Sequence, residues 1–455
     1  MRNLIQRFRK KEKDRSILKI NITKYEESKN INDVLRPIYI LSITFGLRVF
    51  EYPRRHSRTT LSFLYSILLY CIYNISWYYT DRQLYNTKVF DLNGFITHFT
   101  YIINLIVIFI IPTLGLYHSQ TKKLYVKRIN EIDKTLQMLG SSTSFNSIYK
   151  RTIMEIMIAM LYLFLFCTVI IIDWILKDQE IYKSTVMYYA IFLHIYSFMV
   201  KFISAFEFVT IIRCLKSEFQ RANELLSDIN ILPISSIAAE LIEHKQADGS
   251  LLIERSLPVD SKKLFTVLPP LRQAHSQMQI ASLRINRSRM LLRTIRQVHL
   301  ELYKISKSSS NIYGIQVSLE MAICILLNTR LLYYLYGKYQ EKIMDITKLI
   351  FQSFITLLLF LQYSIKIFII NYICDKTTKE AEHTNEIIHT FYGQTADYEI
   401  QKEVEIFSLQ MMQRPIAYSA FGLYNFNCKY ICSCIGIITT YIVIMIQVND
   451  SKRES

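Results

Sequence analysis

Seven long apolar stretches punctuate the chain, separated by polar and charged segments. They cover residues 59–80, 93–118, 152–176, 184–212, 312–336, 346–373 and 420–448. Crossing the hydrocarbon of a bilayer takes about 20 helical residues, so each stretch is long enough to span. The first ends in Trp77, Tyr78 and Tyr79, an aromatic belt of the kind found at membrane–water interfaces. Pro112 is the only proline inside any of these stretches, and the third closes on Asp173 and Trp174. The fourth carries Lys201 and Glu207 and continues as a polar helix to Asp228, the fifth carries Glu320 and Arg330, and the sixth Lys366.

The segments between them have patterns of their own. Residues 35–53 are apolar but short, with Arg48 inside, which predicts an amphipathic helix lying at the membrane surface. Residues 229–270 hold Pro233, Pro258, Pro269, Pro270 and Gly249 among mixed polar residues and are expected to be a disordered loop. Residues 271–308 are helical in pattern and extend the fifth span. In 376–413, Ile400, Val404, Phe407, Leu409, Met411 and Met412 give one partly apolar face, which suits a packing domain better than a loop. The expected architecture is therefore all-α and polytopic. Its divisions are an N-terminal segment with the interfacial helix (1–58), four spans with an extension (59–228), the loop (229–270), an extension and two spans (271–375), packing helices (376–418), a last span (419–448) and a tail (449–455).

Charge gives the architecture a direction. Lys plus Arg number 15 through Arg58, seven between the second and third spans, 15 from Arg213 to Ser308 and four between the sixth and seventh. The alternate links hold only Arg82 and Lys88, Lys177 and Lys183, and Lys338 and Lys342. The positive-inside rule puts the N-terminus and the rich links in the cytoplasm, and seven spans then put the C-terminus outside. The net charge of +17 is thus an orientation signal; nucleic-acid binding would need a soluble basic domain, and none is visible. The first 36 residues lack the apolar core of a cleavable signal peptide, so the first span is expected to act as the insertion signal.

Composition excludes several chemistries. Nucleotide, metalloprotease and serine-hydrolase motifs are absent, the eight Cys lack zinc-site spacing, and the nine His form no grouping with carboxylates. Neither an enzyme, a metal nor a cofactor is expected. Spans nearly free of Gly and Pro weigh against a secondary transporter, whose substrate sites use broken helices. A cytoplasmic N-terminus weighs against a G-protein-coupled receptor, as does the lack of D-R-Y and N-P-x-x-Y.

The last span ends Thr439-Thr440-Tyr441-Ile442-Val443-Ile444-Met445-Ile446-Gln447-Val448. Thr-Tyr, five apolar residues and Gln near the C-terminus resemble the signature of insect gustatory receptors. That family usually has Phe after the Gln; here it is Val448. Ala420-Phe421-Gly422-Leu423-Tyr424 resembles the family's approach to its last helix. Leu292, His299, Leu302, Asn311, Tyr313, Gly314 and Gln316 are similar to its pattern leading into helix five, and Arg36, Pro37 and Gly46 to its N-terminal interfacial helix. The resemblance implies a ligand-gated cation channel of four subunits, homo- or hetero-tetrameric with other gustatory receptor subunits. It implies a pore lined by the last helix, a cytoplasmic anchor before it, and a tastant pocket among helices two to six. The partners implied are a small-molecule tastant, the conducted cations and the bilayer, with no nucleic acid, in the plasma membrane of sensory neurons. An odorant receptor of the same superfamily is the near alternative and a secondary transporter the distant one.

On that reading Thr440, Tyr441, Ile444, Gln447 and Val448 share a helical face that lines the pore or serves plain helix packing. Pocket candidates in the outer halves of the spans are Tyr101, Asp173, Trp174, Tyr189, His194, Asn328, Arg330, Tyr333, Phe351 and Gln352. Aromatic walls with a few polar groups suit a small organic ligand; singly, each ring also fits an interfacial belt. No acidic cluster singles out a polyol. Glu320 and Arg330, ten residues apart, sit about 15 Å apart along a helix and cannot pair. Glu320 is expected to meet Lys201 or Lys366, and Arg330 either faces the pocket or reaches to the interface.

Overall fold

A computed structural model describes residues 30–50, 58–84, 92–142, 145–176, 184–231, 271–340, 346–391, 398–420 and 422–454. The loop expected over 229–270 lies, from residue 232 on, outside the described residues. Among the described residues ten helices run in order: α1 (Ile31–Thr44), α2 (Thr59–Leu84), α3 (Leu92–Tyr117), α4 (Ser119–Met138), α5 (Phe145–Leu176), α6 (Ser184–Ile231), α7 (Leu271–Gln340), α8 (Ile346–Thr390), α9 (Tyr398–Gln413) and α10 (Cys428–Glu454). The described residues contain no strand, only two isolated bridges, Phe50 with Arg58 and Ser419 with Asn425. The all-helical fold is as the hydropathy pattern predicts.

Among the described residues, six helices (α2, α5, α6, α7, α8 and α10) carry stretches long and apolar enough to cross a bilayer by themselves. A seventh arises if the described part of α3, Ile102–Tyr117, is taken with α4, from which it is bent by 58°. The polar stretch from 271 is not a separate element: it forms one helix of 70 residues with the fifth apolar span.

Burial ranks these helices. In α6, 89% of the apolar window is buried, so α6 is the axis around which α1, α2, α3, α5, α7 and α8 pack. In α10 only 6% is buried. Its covered residues are Tyr430, Cys434 and Ile438, spaced by four and facing α7 and α8.

Two segments depart from the sequence pattern. The N-terminal helix begins at Ile31, where Asp33 accepts the Asn30 N–H at 3.0 Å, and ends before Gly46, whose φ of +74° no β-carbon tolerates well. Ile31, Val34, Leu35 and Ile38 are fully buried, so α1 is keyed into the bundle by one face, and Pro37 lies inside it. The last helix begins at Cys428, eight residues after the apolar pattern does. The stretch before it folds back on itself: Phe426 N–H donates to Tyr418 O (2.8 Å), Ala420 N–H to Tyr424 O (3.0 Å), and Gly422 turns the tip at φ +79°.

Candidate ligand site and pore helix

Polar groups cannot be left unpaired where water is absent, so the bundle's interior reveals itself through where they meet. Glu320 on α7 is 1% exposed and pairs with Lys366 on α8 at 2.5 Å. The Lys366 ammonium also donates to the Lys201 carbonyl at 3.2 Å. Lys201 on α6 donates to Asn104 Oδ1 on α3 at 2.9 Å, and Asn104 donates to the Tyr73 hydroxyl on α2 at 3.0 Å and to Ser197 Oγ at 3.2 Å. One hydrogen-bonded network therefore ties α2, α3, α6, α7 and α8 together at mid-bundle. Glu207 does not join it. Its carboxylate lies between Lys122 (2.7 Å) and Arg48 (3.8 Å), towards the end that the charge count assigns to the cytoplasm.

Beyond that network, towards the opposite end, aromatic faces converge. His194 on α6 stacks on Phe166 of α5, centroids 3.8 Å apart and planes at 19°. His194, Phe198, Phe202 and Phe206 then form a stacked ladder down α6, each four residues from the next, with centroid spacings of 6.5, 5.7 and 5.1 Å. Tyr162 on α5 packs on Phe198 and donates from its hydroxyl to Gln362 on α8. Asn328 on α7, 1% exposed, donates to Ser364 of α8 at 3.3 Å. Two buried polar atoms here lack a partner among the described residues, His194 Nε2 and Asn328 Oδ1. Such atoms are costly when left dry; one is a ring nitrogen and the other a carbonyl oxygen.

The other candidates are spread more widely. Tyr189 stacks on Tyr79 at 5.6 Å, on the flank of α6 that meets α2. Gln352 accepts from the Tyr334 hydroxyl at 3.3 Å, joining α8 to α7. Tyr333 is buried, whereas Arg330 and Phe351 are half-buried. The side chains of Tyr101, Asp173 and Trp174 lie outside the described part. Tyr162, Phe166, Phe198, Gln362 and Ser364 were missed by sequence reasoning. Gln362 carried a signal, an amide in the middle of an apolar span; the phenylalanines carried none.

On α10 all five candidates, Thr440, Tyr441, Ile444, Gln447 and Val448, are exposed. At about 100° per residue, Thr440, Ile444 and Gln447 sit about 80–140° round the helix from Cys434, off the covered line. Tyr441 and Val448 lie within about 40° of Cys434 and are exposed as well, while Ile442, Met445 and Ile446 are half-buried. Before α10, helix α9 packs Ile400, Val404, Phe407 and Met411 against α7 and α8, with Phe407 against His299 at 5.6 Å between ring centroids. Glu403 takes Arg293 at 2.7 Å and Arg296 at 3.4 Å. Leu409 and Met412 point away and are 49% and 71% exposed.

The profile of the 7tm chemosensory receptor family matches residues 35–451. Gustatory receptor for bitter taste 66a of Drosophila melanogaster is 28% identical over 166 residues, 36% of this chain and 31% of that receptor. Gustatory receptor 28b of the same fly is 27% identical over 81 residues, 18% of this chain and 17% of that one. The chain thus matches less than a third of the length of either. Olfactory receptor OR5 of Machilis hrabei superposes with a TM-score of 0.54 when solved alone and 0.52 in complex with eugenol. Identity is 10% and 13%, over 92% and 91% of this chain and 98% and 97% of that one, a likeness of fold.

Proposed function

The chain belongs to the 7tm chemosensory receptor family, and from that premise we propose that it is a gustatory receptor working as a ligand-gated cation channel. The observation that carries the reading is α10. Among the described residues α10 is the least covered of the apolar helices, and its bare flank carries Gln447, an amide that lipid would not satisfy, beside Thr440 and Ile444. Four copies arranged around an axis would cover that helix and line a pore with it. Gln447 would stand in for part of an ion's hydration shell, and Ile444 would form a constriction that closes by dewetting. The N-terminus, α4, α9 and the polar half of α7 would lie in the cytoplasm, and the tail outside.

The ligand we propose is a small, largely apolar organic molecule held between Phe166, His194, Tyr162 and Asn328, in keeping with the relative named for bitter taste and with a lining free of acidic groups among its described residues. It would open the channel by binding the open arrangement of α5–α8 better than the closed one. The test is to express the chain, alone and with other gustatory receptor subunits, and record ligand-evoked cation current. His194→Ala is expected to raise the half-maximal concentration about tenfold, the loss of one ring contact and one hydrogen bond, while leaving single-channel conductance unchanged. Saturable uptake of the ligand with no current in any combination would sink the channel reading.

A further inference from the structure

Glu218 lies on the polar continuation of α6, past the apolar span that ends at residue 212 and on the side that the charge count assigns to the cytoplasm. It is 0% exposed; Arg221, one turn on, is 3% exposed, and Asp133 on α4 is 2% exposed. A single guanidinium nitrogen serves both acids. Arg221 Nη1 donates to Asp133 Oδ1 at 2.6 Å and to Glu218 Oε1 and Oε2 at 3.0 and 3.1 Å. Arg221 Nε is spent on Ser141 Oγ at 3.0 Å, and Nη2 has no partner among the described residues. The two carboxylates are not equal. Asp133 also accepts from Gln137 Nε2 at 2.8 Å, whereas Glu218 has only its share of Nη1 among the described residues. Fully ionised, the group sets two negative charges against one positive with water excluded, which is costly. A proton on Glu218 removes that cost. Its carboxyl is pushed up to about 7 by burial, with Arg221 pulling the other way and the facing Asp133 carboxylate adding to the rise. Arg221 comes from its own helix and Asp133 from α4, and the Cys214 thiol lies one turn back on α6. No charge from another helix pairs with Glu218 among the described residues.

We propose that Asp133, Arg221 and Glu218 form a proton-operated clasp between α4 and α6 that reads cytoplasmic pH. With Glu218 protonated, Nη1 is left to Asp133 and the two helices are drawn together. With Glu218 ionised, two acids compete for one nitrogen and repel each other, and the joint loosens. The end of α4 has room to yield: Gly140, beside Ser141, turns at φ +102° with nothing within 4 Å of where a β-carbon would sit. Linkage gives the sign. The folded chain holds this proton more tightly than the unfolded one, so the stability it confers is complete below the ordinary carboxylate range and is lost as pH rises to about 7.

The experiment is thermal unfolding of the purified full-length chain in detergent, from about pH 5 to about pH 8 at constant ionic strength. Hydrogen exchange across Ser119–Met138, corrected for the intrinsic pH dependence of exchange, is followed alongside. The wild-type midpoint should fall by a few degrees over that range, and the protection of α4 should fall with it. Glu218→Gln stands in permanently for the protonated acid. Its advantage over wild type should widen towards alkaline pH, every other titrating group cancelling in the comparison, and its α4 should keep its protection. Asp133→Asn leaves Arg221 to Glu218 alone, so its midpoint should lose the wild-type fall above about pH 6. If Glu218→Gln does not fold, Asp133→Asn still decides. Parallel pH profiles for wild type and the variants would overturn the proposal, as would an advantage of Glu218→Gln that shrinks towards alkaline pH. So would a profile that Glu218→Gln flattens while exchange in α4 stays unmoved, because a proton would then bind without working a clasp. The readouts are stability and exchange rather than current, so their failure leaves the channel reading standing, and the reverse.

Discussion

Single residues carry the sharpest tests. Glu320 is 1% exposed and its charge is met by Lys366, which the sequence named only as one of two options. Both lie at similar depth in adjacent spans, so depth alone made the pairing legible. Depth could not show that Lys201 goes to Asn104 on a third helix, because a neutral amide leaves no trace in a charge count. Lys366→Met strands a buried carboxylate and should cost about 3–5 kcal/mol. Lys366→Met with Glu320→Gln should cost clearly less than the sum of the two single changes. Unfolding midpoints in detergent and the fraction of chain reaching the surface would check both. Glycines give a paired contrast. Gly115→Ala drives a β-carbon against the Leu47 carbonyl and should destabilise by about 1–3 kcal/mol. Gly436→Ala, on α10 with nothing within 4 Å of the new atom, should leave the fold of the subunit intact or favour it slightly.

At the scale of elements, apolar length located helices well and their ends poorly. The last span reads as apolar from 420, yet the helix starts at Cys428, because a hairpin tip turning on Gly422 is as apolar as a helix would be. Hydropathy counts side chains, and the difference lies in backbone angles. The same limit applies to α9. Its pattern named six apolar residues, and the structure buries Ile400, Val404, Phe407 and Met411 while leaving Leu409 and Met412 outside, since one helix face can meet only one neighbouring surface. Phe407 is fully buried at the centre of that contact, and Phe407→Ala should cost about 3–5 kcal/mol. Arg293→Ala, whose partner Glu403 keeps Arg296 nearby, should cost far less. Limited proteolysis at the α8–α9 link should separate the two, with Phe407→Ala cut much faster than wild type and Arg293→Ala close to it. Equal protection in all three would mean that α9 is not held by this face.

For the whole molecule, the decisive contrast is between α6 and α10, one buried on nearly all sides and one bare. The sequence could not rank them, because both are apolar and both carry polar residues; burial depends on which helices surround which. A bare helix in lipid is unremarkable by itself, since lipid tails satisfy apolar side chains as well as protein does. The Thr440 hydroxyl donates to the Gly436 carbonyl at 2.9 Å, so of the two polar levels on the bare flank, Thr440 and Gln447, the amide of Gln447 is what lipid would not satisfy. If four α10 helices meet on that flank, Ile444 lies between those two polar levels as an apolar ring, and the ring's cost of wetting sets the closed state. Ile444→Ser should then lower that cost by about 1–2 kcal/mol and raise current without ligand roughly five- to thirtyfold. The ligand concentration for half-maximal response should fall in step, because the same equilibrium governs both. Ile442→Ser, about 160° round α10 from Ile444 and half-buried, so aimed away from that ring, should change neither. Patch recordings of the two variants side by side decide the matter: equal effects of Ser at 442 and 444 would mean that the stripe only packs and that the pore, if there is one, lies elsewhere.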